Sequence, residues 1–281
     1  MSIALLHRML TGFIILILSF DGYGQNISWQ REEPASPELE LFHSPHAINL
    51  PTAETMQKGD FEFEISHRFI PPVSEGSQAL FGFDGPANIR FGLGYAVSNL
   101  TVITLGRTNV SDSWELNVKY KAVQLDDFIL PTLITIAGGG VWNTDVFDRS
   151  KGDSRNFQYY TQVIFNTLIE NKLGIGFAPA YLYNSALYTE EIKYTITMGN
   201  YLQYYVSPNW SLLLEWIPTF AGWRDSYNTV SFGLEIETGG HFFKIIGTNN
   251  TVLNTSQYMA GSDRKFSAKN IRLGFMITRL L

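Results

Sequence analysis

The chain has 281 residues, of which 45% are hydrophobic and 14% aromatic, and its formal net charge is −6. That length suits one β-barrel or one to two globular domains, and the mild acidity argues against a nucleic-acid partner, which needs a basic surface. The absence of cysteine excludes disulfides, thiolate metal sites and a lipidated N-terminal cysteine.

Residues 1–24 have the pattern of a cleaved signal peptide. Arg8 precedes an apolar run, residues 9–20, and Gly22 and Gly24 then form a small-x-small cleavage pattern. The alternative is a membrane anchor, but the apolar run is too short to span a bilayer comfortably. No other stretch is long and apolar enough for a spanning helix, so any insertion into a membrane must use strands.

Residues 25–58 show no periodicity and contain four prolines. They predict an extended periplasmic segment that packs against the base of a barrel or inside it. His43 and His46, in H-S-P-H, could form half of a metal site. An extended segment does not place them on one helical face, however, and no carboxylate or cysteine nearby completes the set. We therefore expect no metal there.

The first clear strand is Gly59–Ile70, in which Phe61 and Phe63 alternate with Glu62. A period of two places the apolar set on one face and the charged set on the other. Segments of about ten alternating residues are typical of transmembrane strands. We count about twelve, and predict an all-β fold, an antiparallel up-and-down transmembrane β-barrel over residues 59–281. The strands are predicted at Gly59–Ile70, Ala87–Val97, Leu100–Thr108, Ser113–Val123, Ile129–Trp142, Asn156–Leu168, Lys172–Asn184, Lys193–Val206, Trp210–Phe220, Asn228–Thr238, His241–Thr248 and Asn270–Leu281.

The predicted connections alternate in length. Odd-numbered connections, such as 71–86, 143–155 and 249–269, are longer than even-numbered ones, such as 98–99 and 239–240. Long extracellular loops and short periplasmic turns are the pattern of outer-membrane barrels, whereas a soluble sandwich has no reason to sort its loops in this way. Both ends of the barrel domain are therefore predicted to lie in the periplasm.

The last strand, Asn270–Leu281, alternates large apolar residues with small and polar ones. Because an open sheet edge cannot exist in lipid, we predict that this strand pairs with Gly59–Ile70. A terminal strand of this kind can also act as the insertion signal. The predicted partners are therefore the outer-membrane lipid bilayer and the barrel-assembly machinery, the latter through this strand.

Several segments resemble one family. They are H-S-P-H-A-I-N-L-P-T-A-E-T from His43, F-E-I-S-H-R-F from Phe63, F-G-F-D from Phe81, I-R-F-G-L-G-Y-A-V-S from Ile89 and L-G-R-T from Leu105. Together they resemble an uncharacterised family of Gram-negative outer-membrane β-barrel-like proteins, a domain of unknown function, over residues 42–281. Phe83 and Ala96 stand where that family commonly has Leu and Gly, and neither departure affects the fold. The resemblance implies architecture and location, and it brings no activity.

No catalytic set is recognisable in the sequence. Ser66 and His67 are adjacent, so a strand points them to opposite faces, and His241 has no serine two residues away. The motifs G-x-S-x-G and H-E-x-x-H are absent. We therefore predict no enzymatic activity, no catalytic residues and no cofactor.

Charged residues on the inward strand faces predict a polar network in the lumen rather than a wide pore. The pairs Glu62/Glu64 and Glu235/Glu237 could also poise an acid and a base, but ion pairing with inward cations is the simpler interpretation. Arg272 is predicted at the periplasmic side. The predicted network consists of Glu62, Glu64, Glu115, Lys119, Glu235, Glu237 and Arg272.

Four further charged residues are predicted near the extracellular ends of the strands. They are Arg68, Asp84, Arg90 and Arg107. Three cations beside one acid could bind an anionic ligand at the mouth of the barrel, so this cluster is the candidate ligand site.

The leading hypothesis is an outer-membrane barrel without enzymatic activity, exported through a cleaved signal peptide. Its role would be structural, ligand-binding or that of a narrow passage, with a largely filled polar lumen. One alternative is a barrel enzyme that acts on lipids, and another is a soluble periplasmic β-sandwich or lipocalin-like binding protein. The ligand, if there is one, is a small molecule that the sequence does not identify.

Overall fold

A computed structural model of the protein describes residues 39–127 and 129–281. The predicted signal peptide, residues 1–24, and residues 25–38 lie outside this part of the chain. The strand segments within it are β1 (Phe61–Phe69), β2 (Ala87–Ser98), β3 (Thr101–Thr108), β4 (Ser113–Leu125), β5 (Thr132–Trp142), β6 (Phe157–Ile169), β7 (Leu173–Tyr183), β8 (Tyr194–Ser207), β9 (Trp210–Ile217), β10 (Thr219–Gly222), β11 (Thr229–Glu237), β12 (His241–Thr248) and β13 (Arg272–Leu280).

These segments form one sheet that closes into a ring. β9 and β10 are two parts of one strand, interrupted at Pro218, because both pair with successive stretches of β8. The thirteen segments therefore make twelve crossing strands. All pairings are antiparallel, and β1 pairs with β13 through seven residue pairs, from Glu62↔Leu280 to Arg68↔Gly274. The predicted twelve-stranded antiparallel barrel, closed by its last strand, is confirmed.

Side-chain alternation explains why these segments form a barrel wall. On β1, Phe61 and Phe63 face outward and are 43% and 39% exposed, whereas the intervening Glu62 and Glu64 are 4% and 3% exposed. Large apolar side chains also cover the outer surface of the other strands. The period of two thus gives an apolar outer surface that suits lipid. The inner surface carries both polar and apolar side chains.

The connections sort by length between the two ends of the barrel. One end carries tight turns, such as 99–100 between β2 and β3 and 208–209 between β8 and β9. The other end carries the long loops, including 70–86 and 249–271, and these hold the short helical elements. They are the 3-10 segments Val73–Gly82, Val110–Asp112 and Ser154–Asn156 and the one-turn helix α1 (Thr255–Tyr258). Because barrels of this kind have short periplasmic turns and long outer loops, we call the end with the tight turns the periplasmic end and the end with the long loops the extracellular end.

The part of the chain that the structure describes contains no helix with the length and apolar character that a membrane crossing needs.

Because the chain lacks cysteine, an introduced pair can test how the sheet closes. Ile65 and Ile277 are direct partners on β1 and β13, and opposed strand residues have Cα atoms about 4.5–5.5 Å apart, within reach of a disulfide. We expect Ile65→Cys with Ile277→Cys to cross-link on mild oxidation, seen as a mobility change on a non-reducing denaturing gel. The control, Ile65→Cys with Leu273→Cys, lies out of register. Cross-linking of the control alone would contradict the register.

Candidate functional site

The plug segment, residues 39–58, lies inside the barrel lumen. Ile48 and Leu50 are fully buried there, and the Ala47 N–H donates to the Leu50 carbonyl at 2.9 Å, which closes a tight turn. The sequence predicts an extended segment, and its described part is a buried turn instead. The physical reason is that its apolar side chains need shelter from water, which the lumen provides.

Part of the plug packs on the wall through apolar contacts over glycines. A Cβ at Gly174 of β7 would lie 2.8 Å from the Phe42 ring, and a Cβ at Gly199 of β8 would lie 2.6 Å from Leu50 Cδ1. The two glycines therefore leave the room that these plug side chains fill. Burying a side chain of this size stabilises by about 1.5–3 kcal/mol relative to exposure, so the contacts hold the plug firmly.

Glu215 on β9 forms the principal polar contact with the plug. Its Oε1 accepts hydrogen bonds from three successive backbone amides, those of Ile48 at 2.6 Å, Asn49 at 2.8 Å and Leu50 at 2.9 Å. Its Oε2 accepts from the Tyr258 phenol at 2.5 Å. Burial, and then the Glu215 carboxylate, raise the pKa of Tyr258, so the phenol stays protonated and donates. One buried carboxylate thus joins the wall, the plug and an extracellular loop.

Side chains on other strands hold the rest of the plug. Lys244 Nζ of β12 donates to Ser44 Oγ at 3.0 Å and to the His46 carbonyl at 2.5 Å. Asn166 Oδ1 of β6 accepts from the Ala53 N–H at 2.6 Å. Hydrogen bonds that involve a charged group contribute about 1.5–3 kcal/mol each. The plug is therefore held from several strands around the ring and is part of the folded structure.

Five of the seven residues predicted for the lumen network are buried in the lumen and have partners. The partners are His46 for Glu62, Arg90 for both Glu64 and Glu115, the Thr52 carbonyl for Lys119, and Lys244 for Glu235. Buried charges are costly unless they are paired and hydrogen-bonded. The pairing explains how so many charges are accommodated inside a narrow barrel.

The other two predicted network residues lie near the ends of the barrel. Glu237 is at the β11–β12 turn, where its Oε1 accepts from the Gly240 N–H at 3.1 Å. Arg272 donates to the Ile70 carbonyl at 2.8 Å, at the extracellular end of β1. The predicted periplasmic position of Arg272 is wrong, because β13 runs from the extracellular end to the periplasmic end and Arg272 is its first residue.

The four residues predicted for an anion site at the mouth do not come together. Arg68 is fully buried in the lumen, and Arg90 is bound by two carboxylates. Arg107 belongs to the outward set of β3, where its guanidinium lies 5.4 Å from the centre of the Trp114 ring. Asp84 is exposed in the loop 70–86. Arg90 occupies an inward position of β2 and Arg107 an outward position of β3, so the two side chains lie on different faces of the wall.

A polar cavity of about 50 Å³ lies between the plug and the wall, lined in part by His46 and Glu64. His46, Glu62 and Glu64 offer ligand atoms within 4.8 Å of one another. Arg90 and His46 already contact the two carboxylates, so a further cation would gain little there. His43 lies elsewhere, at the periplasmic opening. A cavity of this size and polarity suits a few water molecules.

The loop 249–271 covers the lumen from the extracellular side. Asn254 caps α1 by accepting a hydrogen bond from the Gln257 N–H at 2.9 Å. Tyr258 and Met259 then point inward and are 2% and 0% exposed. The lumen is therefore filled from both ends, by the plug below and by this loop above.

A recess of about 230 Å³ opens beside this loop on the extracellular side. Its lining includes the apolar side chains of Leu187, Trp223 and Val252 and the polar side chains of Asp225 and Gln257. Trp223 and Val252 also pack against the apolar cluster of the lumen. The recess is thus built on the folded core, although its residues come from four different loops.

Sequence reasoning missed Glu215 and the recess. A signal for Glu215 exists, because it is the one acid in W-S-L-L-L-E-W-I (210–217) and occupies an inward position of that strand. An acid in such a run needs a buried partner. The recess has no comparable signal, since its lining combines residues of loops 70–86, 184–193, 223–228 and 249–271, which are far apart in the sequence.

Replacing Glu215 by Gln should loosen the plug. The neutral amide accepts hydrogen bonds more weakly than a carboxylate, so we expect a loss on the order of 2–4 kcal/mol of plug stability. Faster hydrogen–deuterium exchange at the amides of Ile48, Asn49 and Leu50 would measure it. Glu237→Gln, at the β11–β12 turn, is the matched control. Unchanged exchange in the Glu215 variant would contradict the role given to this carboxylate.

The docking of the plug should depend on pH through Glu54. Its Oε1 accepts from the Leu41 and Phe42 amides at 2.8 and 3.0 Å. Burial raises the pKa of Glu54 from 4.5 to about 7, against the lowering effects of those amides and of Lys121 and Lys119. Protonated Glu54 therefore stabilises the docked plug. This stabilisation is fully present below pH 4.5 and is lost as the pH rises through about 7.

We therefore expect the amides of the plug to exchange faster at about pH 8 than at about pH 5.5, after correction for intrinsic exchange rates. Glu54→Gln, which cannot ionise, should remove the difference. A pH dependence that persists in this variant would assign the effect to another group.

Among solved structures, the chain is similar to the NanC porin, with a TM-score of 0.48 and 9% identity over 78% of this chain and 98% of that one. It is also similar to the outer membrane protein Omp33 of Acinetobacter baumannii, with a TM-score of 0.41 and 11% identity over 81% and 100% of the two chains. For LpxR from Salmonella typhimurium the TM-score is 0.34, with 8% identity over 78% and 99%. TM-scores this low carry no argument about function. No curated protein matches the chain in sequence.

The family comparison covers the barrel and most of the plug. Residues 42–281 match the model of one family, described as a membrane bound beta barrel domain (DUF5777). The match agrees with the closed antiparallel sheet, with its apolar outer surface and with the resemblance noted in the sequence. It also excludes the soluble sandwich or lipocalin-like alternative. The chain belongs to this family of membrane-bound β-barrel domains, and it is an outer-membrane β-barrel.

Proposed function

We propose that the protein is an outer-membrane barrel that does not conduct solutes at rest and that binds a small molecule in its extracellular recess. The filled lumen is the observation that carries this proposal, because the plug and the loop 249–271 occupy it from both ends. The recess is then the concave, partly apolar surface that a solute outside the cell can reach. Concave sites with an apolar lining and a few polar groups are the usual form of ligand sites.

A freely open passage is disfavoured by the contacts that hold the plug. Withdrawing it would break the three amide bonds to Glu215 and uncover Phe42 and Leu50. At about 1.5–3 kcal/mol for each charged hydrogen bond and each buried side chain, thermal motion alone would rarely open the lumen. A passage role would therefore need a trigger that releases the plug.

An enzymatic role finds no support among the described residues. Ser66 faces the lumen, whereas His67 faces outward and stacks on Phe275 with ring centres 4.7 Å apart. Within residues 39–127 and 129–281, no serine hydroxyl is hydrogen-bonded to a histidine ring. We propose that the protein has no catalytic activity on lipids, and that the bilayer and the barrel-assembly machinery are its partners in the membrane, after removal of the signal peptide.

Channel recording tests the proposed closure. In a planar bilayer, the mature full-length protein should be silent toward ions of both signs, because the lumen is filled. A variant that lacks residues 39–58 should conduct. Heat-modifiable gel mobility identifies the variants that have folded, and Glu237→Gln serves as a silent point control. Conductance of the full-length protein would overturn the proposal, and a folded but silent deletion variant would assign the closure to the loop 249–271 alone.

A further inference from the structure

We propose that the extracellular recess takes a small organic cation with an apolar body, such as an amine that carries an aromatic group. This inference rests on the proposed binding function and adds the chemical class of the ligand. It follows from the apolar lining of the recess, from its spare hydrogen-bond acceptors and from its unbalanced negative charge.

The apolar lining would hold the body of the ligand. Leu187 and Val252 lie on the walls of the recess, and Trp223 contributes an indole ring. Tyr188, also in the lining, is held by a hydrogen bond of 2.6 Å between its hydroxyl and Ser111 Oγ. Aromatic faces attract cations as well as apolar groups, because the ring quadrupole is negative on its face.

Two side-chain amides of the recess already use their N–H groups. Asn250 Nδ2 already donates to the Gly261 carbonyl at 2.7 Å. Gln257 Nε2 donates to Asn143 Oδ1 at 3.3 Å. Among the described residues, the Gln257 side-chain carbonyl has no donor partner, so it is available to a ligand. A ligand that donates a hydrogen bond can therefore pair with this carbonyl.

The charges in the recess also favour a cation. Arg264 and Asp263 form an ion pair with a distance of 3.4 Å between Nε and Oδ2. Within the part of the chain that the structure describes, the Asp225 carboxylate has no cationic partner and accepts only from Ser226, at 2.7 Å from its backbone nitrogen. Arg224 is not in the lining, and its guanidinium donates to Asn228 Oδ1 at 3.1 Å and to the backbone carbonyl of Asp225 at 3.2 Å. Among the charged side chains of the lining, Asp225, Asp263 and Arg264, one negative charge is therefore in excess.

Calorimetric titration of the full-length protein in detergent, with three probes of one shape, tests this inference. The probes are benzylamine, benzyl alcohol and benzoate at neutral pH. We expect benzylamine to bind about tenfold more tightly than benzyl alcohol, because a charged hydrogen bond is roughly twice as strong as a neutral one. Benzoate should not bind, because it meets the Asp225 carboxylate.

Matched variants locate the site. Asp225→Asn keeps the shape of the side chain and should weaken benzylamine about tenfold while leaving benzyl alcohol unchanged. Glu237→Gln removes the same charge at the β11–β12 turn, at the other end of the barrel, and should leave the binding of both probes unchanged. Val252→Trp fills the recess and should abolish binding of both probes. Heat-modifiable mobility confirms that each variant is folded.

The outcomes separate this inference from the proposed function. If benzoate or benzyl alcohol binds as tightly as benzylamine and Val252→Trp abolishes that binding, the recess is a ligand site but the cation assignment is wrong. Benzylamine binding that Asp225→Asn leaves unchanged also overturns the assignment. If no probe binds, the inference fails. Conductance of the full-length protein, measured separately, overturns the proposed function whatever the probes do.

Discussion

A sheet in lipid cannot leave an edge unpaired, since no water is present to satisfy its amides and carbonyls. Here that requirement is met by the pairing of β1 with β13, and the rest of the structure depends on it. A barrel of about eight strands can fill its interior with wall side chains alone. With twelve crossing strands, the lumen is wider than its own wall residues fill. Residues from outside the wall, in the plug and in the loop 249–271, occupy the remaining space.

The plug and the wall charges stabilise each other. A buried carboxylate such as Glu215 is costly in isolation, and so are three buried backbone amides without acceptors. Placed together, they satisfy one another. The same holds for Lys244 and the carbonyl of His46. Where the wall is apolar or has glycine, as at Gly174 and Gly199, the plug presents Phe42 and Leu50 instead.

This complementarity bears on function more than the barrel does, since barrels of one architecture support many roles. A plug that is hydrogen-bonded to several strands and packed on the wall favours a closed lumen. Glu54, which is buried beside the amides of Leu41 and Phe42, is the group through which we expect that state to depend on pH. In the function that we propose, interaction with molecules outside the cell falls to the loops, where Trp223 and Asp225 lie in the lining of a recess.

The periodicity of the sequence determined the architecture. Alternation at period two and the alternating loop lengths give the strand count, the closing pair and the face on which each residue lies, because these depend on local geometry. Inward charges such as Glu62, Glu64 and Glu115 follow from the same rule. The position of a residue along the barrel axis was predicted less accurately, as Arg272 shows. That position depends on strand direction and register, which the alternation does not give.

Only the tertiary structure decided which residues meet. The plug has no periodicity to mark it as a lumen segment, and its contacts with Glu215 span more than half of the chain. The predicted anion site at the mouth does not form. Arg107 faces outward, Arg90 is bound by two carboxylates and Arg68 is buried in the lumen, so they do not meet each other or Asp84. The recess arises from four loops that are far apart in the sequence and that the folded barrel brings together. Contacts of this kind are set by the closure of the sheet in three dimensions, and no local pattern in the sequence encodes them.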